Sequence, residues 1–247
     1  MAHPFEFSNQ FEVDATPEEV WDAIATGPGI DSWFMGSNQV EPREGGVATT
    51  RLAGFDMEAT VTAWEPPTRF ATRSPEGDDG SLHAFEYIVE GREKGSTVVR
   101  WVHSGFLGDS WEAEYEGLSE GDPMYFNKLA QYLTYFRGKI ATPVNVFGRQ
   151  VADRDEAWST LRSALGLDAP VAVGDQVRLT PQGLPEMEGV VDWVSPSFLG
   201  VRTEDGLFRF IHGFDGSVGL GHHVFVEGLD QEQTEQAWAN WLNGVFA

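Results

Sequence analysis

Six histidines and no cysteine set the range of chemistry open to this chain. Without thiols there is no cysteine nucleophile, no disulfide and no sulfur-ligated metal site. Acid–base work therefore falls to imidazoles and carboxylates. His103 is the leading single candidate, although no catalytic residue is assigned outright. It ends the alternating segment Val99-Arg100-Trp101-Val102-His103, and an imidazole there could donate to a ligand or act as a base, because its charge changes near neutral pH. Glu112, Glu114 and Glu116 alternate after Trp111, but acids occur throughout the chain and a solvated face is the expected reading. His222 and His223, with His212 and Asp215, offer metal-ligand types. Adjacent strand residues point to opposite faces, however, and no pair has helical His-x-x-x-His spacing. Neither a metal nor a cofactor is expected. Gly213, Gly216, Gly219 and Gly221 do not lead from a strand into a helix in the dinucleotide pattern and read as a loop. No Walker sequence, nucleophile elbow or zincin motif is present.

The elements that must position these residues are legible from periodicity. Residues 5–13 read as a strand, and 17–26 as a helix capped by Thr16 with Pro17 at its first position. A helical turn then ends at Trp33-Phe34. From Gly45 to Phe106 turn signals separate short alternating runs with no crossover helix, which predicts an antiparallel meander. On those runs Met57, Ala59, Val61 and Ala63 share a face, as do Phe85, Tyr87 and Val89, and then Val99, Trp101 and His103. Asp56, Glu58, Thr60, Glu86, Glu90 and Arg100 take the other side. A long helix is expected from Pro123, capped by Asp122, with Phe126, Leu129, Ala130, Leu133 and Phe136 as its apolar stripe.

The chain also repeats its own phrasing. Thr16, Glu19, Trp21, Ile24 and Gly29-Ile30-Asp31 align without a gap on Asp153, Glu156, Trp158, Leu161 and Gly166-Leu167-Asp168. Downstream, the segment from Glu58 through Pro67 to Phe70 is echoed by that from Glu188 through Pro196 to Gly200. Asp79-Gly80 is echoed by Asp205-Gly206, and Gln131-Tyr132-Leu133-Thr134 by Asn240-Trp241-Leu242-Asn243. Matches in the same order argue for duplication, with a first copy over 1–138 and a shortened second copy over 139–247. In the second, a strand is expected at 144–151, a helix at 154–165, strands near 176–180, 188–194, 198–203, 207–212 and 223–227, and a closing helix at 231–243.

Composition narrows the partners. Thirty-nine acidic against 16 basic residues leave a formal charge of −23, which opposes binding to nucleic acid and to anionic membranes, since both rely on Lys and Arg. No apolar run approaches a membrane span, and no basic-then-apolar leader opens the sequence. A soluble, cytoplasmic protein is expected. Nine tryptophans and 17 phenylalanines suit either a dense core or the walls of an apolar cavity.

Ala15-Thr16-Pro17-Glu18-Glu19-Val20-Trp21, Trp33-Phe34, Gly45-Gly46, the stretch from Val61-Thr62-Ala63-Trp64-Glu65-Pro66-Pro67 to Phe70, and His103-Ser104-Gly105-Phe106 together resemble the START-like superfamily. This is the SRPBCC, helix-grip or polyketide-cyclase-like group, and the wording resembles its heat-shock-protein-90 ATPase-activator branch. The resemblance covers about residues 5–138 directly and 139–247 only through the repeat. It implies an α+β helix-grip fold in which a curved antiparallel sheet wraps a long C-terminal helix around an elongated cavity. Carried over by position, Trp33 and Phe34 stand at the mouth. Met57, Val61, Phe70, Phe85, Tyr87, Trp101 and His103 come from the sheet, and Phe126, Leu129 and Leu133 from the helix. The His-Ser-Gly sequence belongs to the branch's general pattern, so His103 has a structural reading beside its chemical one.

Three functions follow as expectations. The first is a binding protein for a small hydrophobic or aromatic molecule. The second is a cyclase, aromatase or hydrolase using the same cavity, and the third a co-chaperone-like interaction module. The second copy is expected to serve in packing or as a lid.

Overall fold

The computed structural model describes residues 2–167 and 169–247. Asp168, aligned above with Asp31, lies outside the described residues. The chain divides into two compact units, Met1–Ile140 and Ala141–Ala247.

The first unit opens with strand β1 (His3–Val13), helix α1 (Pro17–Ala25) and the single turn α2 (Gly27–Ile30). The start of α1 is set locally. The Thr16 hydroxyl accepts from the Glu19 backbone N–H while the Glu19 carboxylate accepts from that of Thr16. This reciprocal cap satisfies two amides that the helix itself cannot. Six strands follow: β2 (Ser37–Val40), β3 (Val47–Leu52), β4 (Phe55–Glu65), β5 (Arg69–Arg73), β6 (Leu82–Gly91) and β7 (Thr97–Leu107). They make one antiparallel sheet in the order β1-β7-β6-β5-β4-β3-β2, so the first strand closes against the last.

Helix α3 (Trp111–Tyr135) lies over β1 and β7. It begins well before the expected Pro123, which sits inside it. Pro123 has no N–H to continue the ladder, so the preceding turns are held by side chains on the sheet. Trp111 stacks on His3 at 4.4 Å, and the Tyr115 ring lies 5.1 Å from that of Phe7. Asp122 is therefore not a cap, and its side chain is turned to the sheet. Period-two alternation survives in the burial: Val61, Ala63, Tyr87, Val89, Val99, Trp101 and His103 are buried, whereas Glu58, Thr60, Glu90 and Arg100 are exposed.

The second unit runs β8 (Thr142–Gln150), α4 (Arg154–Ala164), β9 (Gln176–Leu179), β10 (Met187–Val194), β11 (Phe198–Thr203), β12 (Gly206–His212), β13 (Ser217–Val224) and α5 (Gln231–Val245). Its antiparallel sheet has the order β8-β13-β12-β11-β10-β9, again with the first strand against the last. Asp153 caps α4 by accepting from Glu156 N–H, as Thr16 does for α1. Leu161, Val191, Val201, Phe210, Trp238 and Leu242 are among its core residues.

Two expectations are corrected here. The last strand is Ser217–Val224 and not 223–227, and it takes in part of the glycine segment read as a loop. Glycine supports this pairing physically: a Cβ at Gly219 would stand 3.1 Å from the Val146 carbonyl oxygen across the ladder.

Both units share a finer irregularity. Register shifts between Val61 and Ala63 where β4 meets β5, and between Val191 and Trp193 where β10 meets β11. These are the residues that the Glu58/Glu188 alignment superposes.

Candidate functional site

Four titratable side chains from three elements of the first unit form one chain of contacts. On β7, His103 Nδ1 lies 2.7 Å from Asp122 Oδ2 of α3, and His103 Nε2 lies 3.0 Å from His83 Nδ1 of β6. His83 Nε2 in turn lies 3.1 Å from Glu114 Oε1, also on α3. Exposure is lowest at His103, whose side chain is 1% exposed, and rises to 11% at Asp122 on one side and to 28% at His83 and 36% at Glu114 on the other. From His103 the contacts run out to the rim.

The local sequence explains why these groups meet. His83, Phe85 and Tyr87 occupy alternate positions of β6 and share its interior face. His83 pairs with Gly105 and Phe85 with His103 across the β6–β7 ladder. Gly105 is required there, because a Cβ at that position would stand 1.8 Å from the Leu82 carbonyl oxygen. Glu114 and Asp122 lie two turns apart on α3, close to one face of the helix.

Aromatic rings enclose the inner end. Phe85 stacks on the His103 imidazole at 3.8 Å, and Phe5 meets it edge-on at 4.9 Å. Trp101 stacks against Phe126, which also contacts Phe11. Burial, with help from the negative charge of Asp122, holds the Tyr87 hydroxyl in its neutral form by pushing its pKa upward. Burial and the neighbouring charge of His103 push the His83 imidazole below its ordinary value, against the pull of Glu114 and Asp122.

Of the residues expected to line an interior, Val61, Phe70, Tyr87, Trp101, His103, Phe126, Leu129 and Leu133 are buried in this unit. Trp33 is buried too, its indole N–H donating to the Ala23 carbonyl at 2.9 Å. Phe34 and Phe85 are partly exposed, and Phe34 contacts Tyr125. Met57 stands apart, 49% exposed near the β3–β4 turn. Sequence reasoning missed His83, Asp122 and Glu114 as partners of His103. Alternation places His83 on the interior face, and that was the available signal. The carboxylates carried none, because α3 was expected to start at Pro123.

In the second unit, His222 and His223 are buried on β13, and His222 Nδ1 accepts from the Arg209 backbone N–H. Among the described residues no group of three or more His, Asp or Glu side chains is arranged to hold a metal ion. Among them, too, no helix is long and apolar enough to cross a membrane.

The sequence profile of the family described as polyketide cyclase / dehydrase and lipid transport matches residues 4–122. The chain is similar to the solved structure of the MLL2253 protein from Mesorhizobium loti at 24% identity, over 52% of this chain and 96% of that one, with a TM-score of 0.45. It is similar to the BH1534 protein from Bacillus halodurans at 21% identity, over 54% and 99%, with a TM-score of 0.45. A third similar structure is the Aha1 dimer from Colwellia psychrerythraea, at 18% identity over 54% and 99%, with a TM-score of 0.44. No curated protein sequence matches the chain. With its profile match over residues 4–122, its first strand closed against its last and its long helix laid on that sheet, the first unit of this chain has the START-like, helix-grip arrangement.

Proposed function

We propose that the first unit binds a small hydrophobic or aromatic molecule between its sheet and α3. The observation that carries this reading is the contrast between the two halves of that helix. Its C-terminal half buries Met124, Phe126, Leu129 and Leu133, whereas no residue from Trp111 to Pro123 is buried. On the sheet Phe7 meets Tyr115 of the N-terminal half, and Phe5 and Phe85 flank the His103 that Asp122 contacts, with Phe7 and Phe85 partly exposed. Aromatic surface near a lightly packed helical segment suits insertion of an apolar ligand. The description of the matching family, which includes lipid transport, is consistent with it.

Thermal unfolding of the full chain with a panel of neutral hydrophobic fluorophores tests the reading. A ligand at a hundred times its Kd adds about 2.7 kcal/mol to stability and raises Tm. If no member of the panel raises Tm at any concentration, the reading is wrong.

The chain from Asp122 to Glu114 favours a second reading, an enzyme of the cyclase, aromatase or hydrolase kind that uses the histidines as acid and base. Turnover of a candidate aromatic substrate would then be lost in His83→Ala and kept in Met57→Ala.

We also infer that residues 139–247 are a shortened copy of the first unit. The shared strand order, the aligned helix caps of Thr16 and Asp153 and the coincident register shifts support duplication more strongly than any one sequence match.

A further inference from the structure

We propose that the Asp122–His103–His83–Glu114 chain is a one-proton latch that fastens the N-terminal half of α3 over the interior of the first unit. The latch would regulate access to the ligand site and in that respect rests on the binding reading above. Its existence as a proton-holding pair does not.

Counting donors leads to the shared proton. The three contacts of 2.7, 3.0 and 3.1 Å each need one hydrogen between two heavy atoms. Ionised Asp122 and Glu114 can only accept, so all three hydrogens must come from the imidazoles. Two neutral imidazoles carry only two N–H groups. If those point at the carboxylates, the lone pairs of His83 Nδ1 and His103 Nε2 face each other at 3.0 Å. One added proton makes every contact a hydrogen bond, and a second added proton sets two N–H groups against each other. Only the singly protonated pair fits.

The surroundings place that charge toward His103. This imidazole lies beside Asp122 and flat on Phe85 at 3.8 Å, where an imidazolium gains from the face of the ring. His83 then accepts at Nδ1 and donates its Nε2–H to Glu114. The depression of the His83 pKa by burial and by the charge of His103 agrees with a pair that takes one proton and resists another. From β1 the pair meets Phe5, from β6 Phe85, from β7 Trp101, and from α3 the two carboxylates, while Tyr87 on β6 feels the charge of Asp122.

The segment fastened by this charge is only partly buried. None of residues 111–122 is fully buried, and Asp122 is the one whose side chain the latch draws inward, to 11% exposure. Besides the latch, Trp111 meets His3 and Tyr115 meets Phe7 on the sheet. Pro123 follows directly, and its missing N–H interrupts the ladder there. Adding or removing a proton therefore frees one half of the helix without unfolding the other.

The test uses the full chain. Histidine side-chain NMR over the imidazole titration range should show His83 and His103 moving together in two coupled steps. Amide exchange across 111–122, corrected for its intrinsic pH dependence, should be slowest between those steps and about tenfold faster on either side. His83→Gln should remove both the coupled steps and the exchange minimum, and Glu114→Gln, a milder change at the rim, should raise exchange within that window. Independent single-step titration of the two histidines, or exchange across 111–122 indifferent to the steps, would overturn the latch. Uptake of N-phenyl-1-naphthylamine, a neutral fluorophore, is followed in parallel. Faster uptake outside the window supports gating, and uptake at one rate throughout overturns it. Absence of uptake at every pH removes the gating role and counts against the ligand reading, while the NMR and exchange results still decide the latch.

Discussion

His103 and Asp122 meet at 2.7 Å between Nδ1 and Oδ2, and this contact joins the sheet to the middle of the long helix. The carboxylate comes from the residue just before Pro123, where the backbone ladder of α3 is weakest. Helix continuity and site geometry thus share one bond. Its strength follows from burial, since hydrogen bonds to ionised groups are stronger than neutral ones and little water competes with this one.

Asp122→Ala should destabilise the full chain by about 1.5–3 kcal/mol, the usual worth of a hydrogen bond to a charged group. Asp122→Asn, which keeps an acceptor but loses the charge, should cost less. Urea unfolding of the two variants beside the parent protein makes the comparison. Equal stability of all three would mean that the contact carries no energy.

Stability should also fall on the acid side through His83. Its pKa in the folded protein is depressed below the ordinary 6.5 by burial and by the charge of His103. The unfolded chain therefore binds this proton more readily. The associated stability is fully present above 6.5 and is lost as pH falls toward the lower, folded value. Denaturant midpoints measured on both sides of that window should slope upward with pH, and His83→Gln should flatten the slope.

Interior and rim positions should respond very differently to truncation. Leu129 is fully buried, and Leu129→Ala should cost about 2–5 kcal/mol. Met57 is 49% exposed, and Met57→Ala should stay within about 0.5 kcal/mol. Calorimetric Tm values would separate the two. A large loss at Met57 would place it in a packed environment that the fold does not provide.

A buried ion pair makes the second unit sensitive at another point. Arg209, with no exposed surface, holds Asp192 through two hydrogen bonds of 3.0 and 2.8 Å. Asp192→Ala leaves a buried guanidinium without its counter-charge and should cost about 3–5 kcal/mol. Gly200→Ala should also destabilise, because a Cβ there would stand 2.5 Å from Asp192 Oδ1 and 2.7 Å from an Arg209 terminal nitrogen. Far-ultraviolet circular dichroism during thermal unfolding reads both variants.

The outlines of the fold were legible because they depend on near neighbours. Thr16 and Asp153 announce helices through bonds to residues three positions away. The alternation of Val99, Trp101 and His103 with Arg100 marks the dry face of a strand from side-chain direction alone. Where this reasoning failed, a distant contact had overruled a local signal. Pro123 is a sound helix start by its own chemistry, yet His83 and His103 hold the preceding turns to the sheet and the helix runs on through it. Gly219 and Gly221 suggest a loop by composition, yet strands on both sides give that backbone its partners.

By itself the sequence determined which faces would be apolar, where the capped helices begin, and that two stretches of chain follow one pattern. These properties are set within a turn of helix or between alternate residues of a strand, so they need no knowledge of the rest of the chain. Only the tertiary structure decided that His103 would be a link in a proton-bearing chain and not a lone imidazole. Its partners lie 20 residues before it and 19 after. Nothing in local periodicity specifies such distances; the packing of α3 over β1 and β7 does, because it brings two carboxylates of the helix against two imidazoles of the sheet.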